Sequence, residues 1–475
     1  MRRTAWPLAL LTALLAFACG DGPTLPIDAA TDLAAAFDAG VDAAADSGPA
    51  PRPLPRDPVP CRLALPLDAE DGRDVHCLDV PGDDGGDIAV HVTVFDAALP
   101  ALPVYVLMGG PALRGSAYVR YLTQETRRAR FGERPVVFIE QRGVGVSVPA
   151  LRCASGDDLG ACATQLRDEG VDLARFTTRH AADDVATVAD RLAHSSFTLA
   201  GGSYGSRLGL EVLRRHGARV ERAYLESIVP PDTDFLLPLI EGSEEALEAL
   251  CAGEACPPDV LARAAERART MPPSGVFGPI GEALLGFAVF EALYHQDLAA
   301  ALPATLEAFA TGAPEGLAGV EAALSRPPRV EPLAYRAVIC ADFLPLFDGE
   351  AYAAAAALGP PELAALFTSI GATFGSCEAL SLAAGPAASR APVVSDVPTL
   401  LVAPGLDARS PLSGALRVAE TLPRARVLRL PGRVHTPALG YQVEGRALDE
   451  CAASVMRTFL ADPNADDPAC AATSP

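Results

Sequence analysis

Between the apolar run Phe197-Thr198-Leu199-Ala200 and a segment whose Leu208, Val212 and Leu213 recur at helical spacing, the chain reads Gly201-Gly202-Ser203-Tyr204-Gly205. A short, unbroken apolar run suits a strand buried on both faces, which is the habit of parallel sheets covered by helices. A serine between two glycines can be lifted out of the corner where such a strand turns into a helix. The pentapeptide therefore narrows the fold to layered α/β architecture and marks Ser203 as a nucleophile. Arg214-Arg215-His216 followed by Gly217 reads as the end of the helix, because cations oppose the negative end of the helix dipole and glycine can take a left-handed cap.

The rest of the chain extends this pattern. Ile88, Val90, Val92 and Val94 alternate with polar or small residues after the turn Asp83-Asp84-Gly85-Gly86, which predicts a half-buried strand in an antiparallel edge hairpin. Continuous apolar runs follow at Val104 to Met108, Val136 to Ile139, Ala223 to Leu225, Leu400 to Ala403 and Val427 to Leu430, separated by segments long enough for helices. The expectation is a mostly parallel, doubly wound α/β sheet. Residues 231–391 carry no convincing strand; they are rich in Ala, Leu and Glu and are broken by Pro-Pro pairs at 257, 272, 327 and 360. A helical cap inserted there would lie over the carboxyl edge of the sheet, where doubly wound folds bind ligands. The core then comprises residues 61–230 and 392–475.

The N-terminus has the three parts of an export signal: Arg2-Arg3, the apolar run Leu8 to Phe17, and small residues ending at Cys19. Leu15-Ala16-Phe17-Ala18-Cys19 resembles a bacterial lipobox, in which the cysteine carries the lipid, while Ala16-Phe17-Ala18 also satisfies the rule for soluble secretion. Residues 20–60 hold few large apolar side chains and repeated aspartates, so they read as a solvated tether. The chain is thus expected to be a lipoprotein of a bacterial cell envelope or a secreted protein, touching a membrane only through its lipid. A net charge of −22 would be repelled by nucleic acid and by anionic lipid surfaces, which argues against both as partners.

Export also suits the cysteines. Setting Cys19 aside leaves ten of 11, an even number, as a disulfide framework requires. They fall into sequential neighbours, Cys61 with Cys77, Cys153 with Cys162, Cys251 with Cys256, Cys340 with Cys377, and Cys451 with Cys470, although sequence alone leaves the connectivity open. No C-x-x-C pair stands opposite a second one, so a zinc site is not expected.

A serine hydroxyl needs a histidine to take its proton and an acid to fix that histidine's tautomer. Asp407 follows the run Leu400 to Ala403 through Pro404-Gly405-Leu406, and His435 follows Val427 to Leu430 through Pro431-Gly432-Arg433-Val434. Both occupy strand-then-turn positions in the order nucleophile, acid, base. Glu226, ending the run after the nucleophile helix, competes with Asp407 for the acid's role. The other six histidines, His76, His91, His180, His194, His216 and His295, have structural homes in hairpin, helix or insertion. For a developing oxyanion, the Tyr204 amide is one donor, and Gly110 in Met108-Gly109-Gly110-Pro111 is the other unless that segment is an ordinary tight turn.

Gly109-Gly110-Pro111, Glu140-Gln141-Arg142-Gly143, Gly202-Ser203-Tyr204-Gly205 and Arg207-Leu208 resemble the GGPG, DQRG and GxSYGTRL blocks of proline iminopeptidases and tripeptidyl aminopeptidases within the α/β-hydrolases. Pro398 to Val402, Asp407, Leu430-Pro431-Gly432, His435 and Phe459 to Pro463 resemble the tripeptidyl aminopeptidase-like C-terminal region, where a late cysteine pair is usual. The similarity spans roughly residues 60 to 470 in ordered blocks. It implies an α/β-hydrolase fold and cleavage of peptides from a free N-terminus, with no metal or organic cofactor. Two residues depart from the pattern: Ala112 stands for the last glycine of GGPG and Glu140 for the aspartate of DQRG. The acidic group that would hold the substrate's ammonium is not identifiable among the glutamates of the insertion, and Asp183-Asp184 reads as a solvated helix start. The substrate expected is a peptide or small acyl compound; a carboxylesterase or amidase, and a non-catalytic surface binding module, are the alternatives.

Overall fold

The computed structural model describes residues 58–471, apart from residues 64, 66–74, 83–86, 98–100, 154–157, 253–255, 258, 271–280, 327–329, 375–376, 378–379 and 441–447. The expected export signal with Cys19, the expected tether up to residue 57, the expected turn at Asp83 to Gly86 and the Pro-Pro pairs at 272 and 327 lie outside the described residues.

Eight strands form one sheet: β1 (Val75–Pro81), β2 (Ala89–Phe95), β3 (Val104–Leu107), β4 (Val136–Ile139), β5 (Phe197–Gly202), β6 (Val220–Glu226), β7 (Thr399–Pro404) and β8 (Ala425–Leu430). Their order is β1-β2-β4-β3-β5-β6-β7-β8. The pairs β1/β2 and β2/β4 are antiparallel and every later pair is parallel. Crossovers supply the helices α1 (Gln124–Phe131), α2 (Leu159–Asp168), α3 (Thr178–Arg191) and α4 (Tyr204–His216). Between β6 and β7 the described residues hold eight more: α5 (Leu237–Leu250), α6 (Val260–Thr270), α7 (Glu282–Ala292), α8 (Gln296–Thr311), α9 (Pro314–Leu324), α10 (Pro332–Val338), α11 (Gly349–Leu358) and α12 (Ala364–Phe374). Helices α13 (Leu412–Ala419) and α14 (Glu450–Ala461) complete the chain.

The strand runs of β3 to β7 are continuous because both faces are covered there, and the two-residue period of a strand sorts them into two cores. Tyr105, Leu107, Leu199, Leu225 and Leu401 belong to the cluster that includes α3 and α4, whereas Val104, Val106, Ala200, Tyr224, Leu400 and Val402 belong to the cluster that includes α14. The same double covering corrects the half-buried reading of β2. That strand lies one place in from the edge, and its nominally polar His91 and Thr93 are both fully buried. His91 is accommodated because its Nδ1 lies 2.9 Å from an Asp79 carboxylate oxygen and its amide donates to Ser147 Oγ at 3.1 Å.

Helix α4 stops at His216, but Gly217 has φ −54 and leads into a 3-10 turn, Gly217–Arg219, so no left-handed cap is used. Asp183 and Asp184 sit inside α3, not at its start, and Asp184 is buried with a bidentate ion pair to Arg142 at 2.8 and 2.7 Å. The helical segment between β6 and β7 touches the loops after β3 and β8 and the first turn of α4, which follow parallel strands at their carboxyl ends. Glu331 N donates to Ala112 O at 2.9 Å, Gln296 Nε2 donates to Gly432 O at 2.9 Å, and Arg207 donates to Asp342 O at 2.9 Å.

Disulfides join Cys61 to Cys77, Cys153 to Cys162, Cys251 to Cys256, Cys340 to Cys377, and Cys451 to Cys470. Five bridges are characteristic of a protein folded in an oxidising, extracytosolic compartment. Among the described residues, no helix is long and apolar enough to cross a membrane.

Candidate active site

Ser203 stands between the end of β5 and the start of α4 with φ 54 and ψ −130, a conformation that a residue bearing a Cβ adopts at a cost of about 1–3 kcal/mol. The flanking glycines make the corner possible. A Cβ on Gly201 would lie 2.4 Å from Gly205 O, and one on Gly205 would lie 2.2 Å from Leu107 O. Each distance is far below van der Waals contact, so the first turn of α4 can press against β3 and β5 only without those side chains. Ser203 itself is partly exposed, while the residues on both sides of it are buried.

Asp407 and His435 meet directly. His435 Nδ1 lies 2.8 and 2.9 Å from the two Asp407 carboxylate oxygens, and both residues are almost wholly buried. Asp407 Oδ1 also accepts from the amides of Arg409 and Ser410, each at 3.0 Å, so the turn after β7 itself orients the carboxylate. With Nδ1 facing a carboxylate, Nδ1 carries the proton and Nε2 is left as the basic nitrogen.

Glu226 does not take the acid's place. Its carboxylate accepts from Tyr224 Oη at 2.8 Å, from Ala438 N at 3.1 Å and from Leu439 N at 2.9 Å, so it anchors the backbone just beyond His435. The same strand end ties Ser203 to the loop that carries His435. Ser203 N donates to Glu226 O at 3.0 Å, and Ser227 Oγ accepts from Thr436 N at 2.8 Å. Residues 203 and 436 are thereby held to consecutive positions at the end of β6, which brings His435 to the nucleophile's edge of the sheet.

The loop after β3 is the third element. Gly110 has φ 109, and a Cβ there would stand 2.6 Å from Leu113 N, so glycine is required. Gln141 grips the loop from both sides, with Nε2 donating to Met108 O at 2.8 Å and Oε1 accepting from Ala112 N at 3.1 Å. Ala112 tolerates φ 62 within this grip. Tyr204 is the first residue of α4, and its N–H is one of the helix's initial donors with no intrahelical acceptor. Its phenol is 3.1 Å from Thr178 Oγ1, which donates to Asp342 Oδ2 at 2.6 Å, tying the nucleophile helix to the inserted helical segment. Of the seven non-glycine residues with positive φ among the described residues, four (Ala112, Ser203, Ser227 and Thr436) belong to this constellation. Backbone strain concentrates where function is built.

Five residues around the site had no role assigned from the sequence. Gln141 stood in a quoted motif without a role, and its signal was only that a glutamine follows β4. Glu291, Tyr294 and Arg409 had none: Arg409 ion-pairs with buried Glu291 and lies 4.3 Å from the Tyr294 ring, which stacks on His435 at 4.7 Å. The fifth is Glu140, noted from the sequence only as a departure from DQRG, a fully buried carboxyl whose Oε1 accepts from Gly115 N at 2.8 Å. Burial pushes it up to about 8, and the nearby Glu331 adds to the shift. Among the described residues, no group of three His, Cys, Asp or Glu side chains is placed to hold a metal ion.

Residues 103–245 match the family model described as alpha/beta hydrolase fold, and residues 368–470 match the one described as TAP-like protein. Among solved structures, the chain is similar to the proline iminopeptidase of Mycobacterium smegmatis, with 20% identity and a TM-score of 0.44 over 82% of this chain and 98% of that one. It is also similar to the esterase RhEst1 from Rhodococcus sp. ECU1013, at 17% identity and a TM-score of 0.39 over 82% and 99%. A third likeness is to a proline iminopeptidase-related protein from Thermus thermophilus, at 19% identity and a TM-score of 0.34 over 76% and 90%. No curated protein matches the chain.

Proposed function

We infer, because the chain is an α/β hydrolase with a TAP-like C-terminal region, that it is an exported serine aminopeptidase releasing residues or short peptides from a free N-terminus. The observation that carries the reading is the Asp407 to His435 contact at 2.8 Å, beside a serine held in a strained strand-to-helix corner. Ser203 Oγ attacks the scissile carbonyl while His435 Nε2 accepts its proton, and Asp407 stabilises the resulting imidazolium. The Tyr204 and Gly110 amides receive the developing oxyanion. His435 then returns the proton to the departing amine, leaving an acyl group on Ser203, and water attacks by the same route in reverse.

The TAP-like match and the motif resemblance support peptide substrates. The lipobox-like segment supports attachment through Cys19, with the acidic stretch as a tether between lipid and domain. The test is labelling by a fluorophosphonate probe, expected in the native chain and lost in Ser203→Ala, followed by comparison of aminoacyl-arylamides with N-blocked analogues and acyl esters. Turnover confined to blocked or ester substrates would make the chain an esterase or amidase. Absence of labelling in folded protein would make it a binding module.

A further inference from the structure

The inserted helical segment does more than cover the site, because one column of side chains runs from it to the candidate base. The Arg409 guanidinium lies 4.2 Å from the Phe290 ring and 4.3 Å from the Tyr294 ring, on the loop whose Arg409 amide also holds Asp407. It ion-pairs with Glu291, at the end of α7, which is almost completely buried. Tyr294 stacks on His435 with ring centroids 4.7 Å apart and an interplanar angle of 26°. One aromatic ring therefore separates a guanidinium from the imidazole that must become positive during catalysis, and the two cations lie within about 9 Å of each other.

Resting on the serine-hydrolase reading above, we propose that Glu291 is a positioning and charge-balancing residue: by pairing with Arg409 it cancels a cation that would otherwise oppose formation of the His435 imidazolium. The charged and titratable groups facing this column have separate assignments. Asp407 bonds His435 directly, Glu226 holds the Ala438 and Leu439 amides, and Arg433 pairs with Asp449. His295, edge-on to Tyr294 at 5.6 Å, has its Nε2 3.2 Å from the Arg326 carbonyl oxygen. Burial raises the Glu291 carboxyl, while Arg409 foremost and His435 also favour its charged form, as the proposal requires of a carboxylate coupled to both.

Glu291→Gln keeps the shape and leaves Arg409 unbalanced. An uncompensated charge within about 9 Å at an effective dielectric of ~20 moves a titration by on the order of one pH unit. The acid limb of kcat/KM should therefore shift by about that much to lower pH, with a severalfold lower kcat plateau, for aminoacyl-arylamides and acyl esters alike. The double variant Glu291→Gln/Arg409→Gln, neutral again, should return the limb to its native position. Arg409→Gln alone leaves Glu291 to be neutralised by a proton and should never move the limb downward, so it decides the matter even where Glu291→Gln fails to fold. An unmoved limb in Glu291→Gln, no recovery in the double variant, or a downward shift in Arg409→Gln would overturn the proposal. So would a loss confined to KM for substrates with a free amino end, which would make Glu291 a substrate contact. Ester turnover without peptide turnover would remove only the peptidase reading, since the limb is measurable on esters. No hydrolysis and no fluorophosphonate labelling of folded protein would remove the hydrolase reading and this inference with it.

Discussion

Replacing Glu140 by glutamine should make the folded protein more stable at alkaline pH than the native chain. Glu140 is fully buried behind the loop that carries Gly110, one oxygen accepting from Gly115 N and the other, Oε2, buried without a hydrogen bond. The carboxyl packs directly against two glycine backbones, since a Cβ on Gly115 would lie 2.6 Å from Oε2 and one on Gly145 would lie 2.7 Å from Oε1. Burial pushes its titration from 4.5 up to about 8 in the folded state. The folded chain therefore keeps a proton that the unfolded chain releases, so the contribution of Glu140 to stability is fully present below 4.5 and is lost as pH rises towards 8. A displacement of that size corresponds to about 5 kcal/mol in all, accumulating at ~1.4 kcal/mol per pH unit and levelling off above the folded value. Glu140→Gln retains an oxygen for Gly115 N and cannot ionise. Urea unfolding of both proteins at intervals from pH 5 to 9, disulfides intact, should show a stability difference in favour of the variant that widens steadily to about pH 8 and then stays constant. Two parallel profiles, differing by a constant amount across that range, would refute the reasoning and mean that the carboxylate is solvated or paired when charged.

Further outcomes separate structural from chemical roles. Asp407→Asn should lower kcat by ~10³–10⁴ with little change in Tm, because the amide favours the wrong imidazole tautomer, whereas Glu226→Gln should retain most turnover and lose thermal stability. Both are read by steady-state kinetics beside a melting curve, and the reverse pattern would make Glu226 the acid. Gly205→Ala should destabilise the fold by about 3 kcal/mol, since its Cβ would meet the Leu107 carbonyl at 2.2 Å with backbone on both sides. An unchanged denaturation midpoint would show that the corner can open. Removing the bridge between Cys340 and Cys377, which spans 37 residues, by a double alanine substitution should cost about 4 kcal/mol of stability, measured by urea unfolding under non-reducing conditions.

Much of this molecule was legible in periodicity and order. The apolar runs located the strands β3 to β7 because stretches buried on both faces have few polar positions to confuse the pattern, whereas β8, at the edge of the sheet, is only partly buried and carries Arg426 and Arg429. Gly201 and Gly205 announced the corner because only glycine survives backbone contacts of 2.4 and 2.2 Å, a local steric demand that writes itself into local sequence. Asp407 and His435 could be placed by chain order, since each follows a strand through a turn. The even number of cysteines left after Cys19 pointed to a disulfide framework in the same way.

What needed tertiary structure was every choice between equivalent groups. Asp407 and Glu226 both end near strand termini, and nothing local says which carboxylate reaches the imidazole; three-dimensional packing gives one the ring nitrogen and the other two backbone amides and a phenol. His91 looked like the exposed face of an edge hairpin and is fully buried, because strand order in the sheet is a non-local property. Asp184 read as solvated and is sealed in an ion pair with Arg142, 42 residues away in the chain. Arg409 and Glu291 are 118 residues apart, and their meeting over Tyr294 and His435 has no trace in either neighbourhood. Sequence determines local backbone conformation because it depends on residues close in the chain. Which charges face one another depends on how the inserted helices settle on the sheet, and that is decided only when the whole chain has packed.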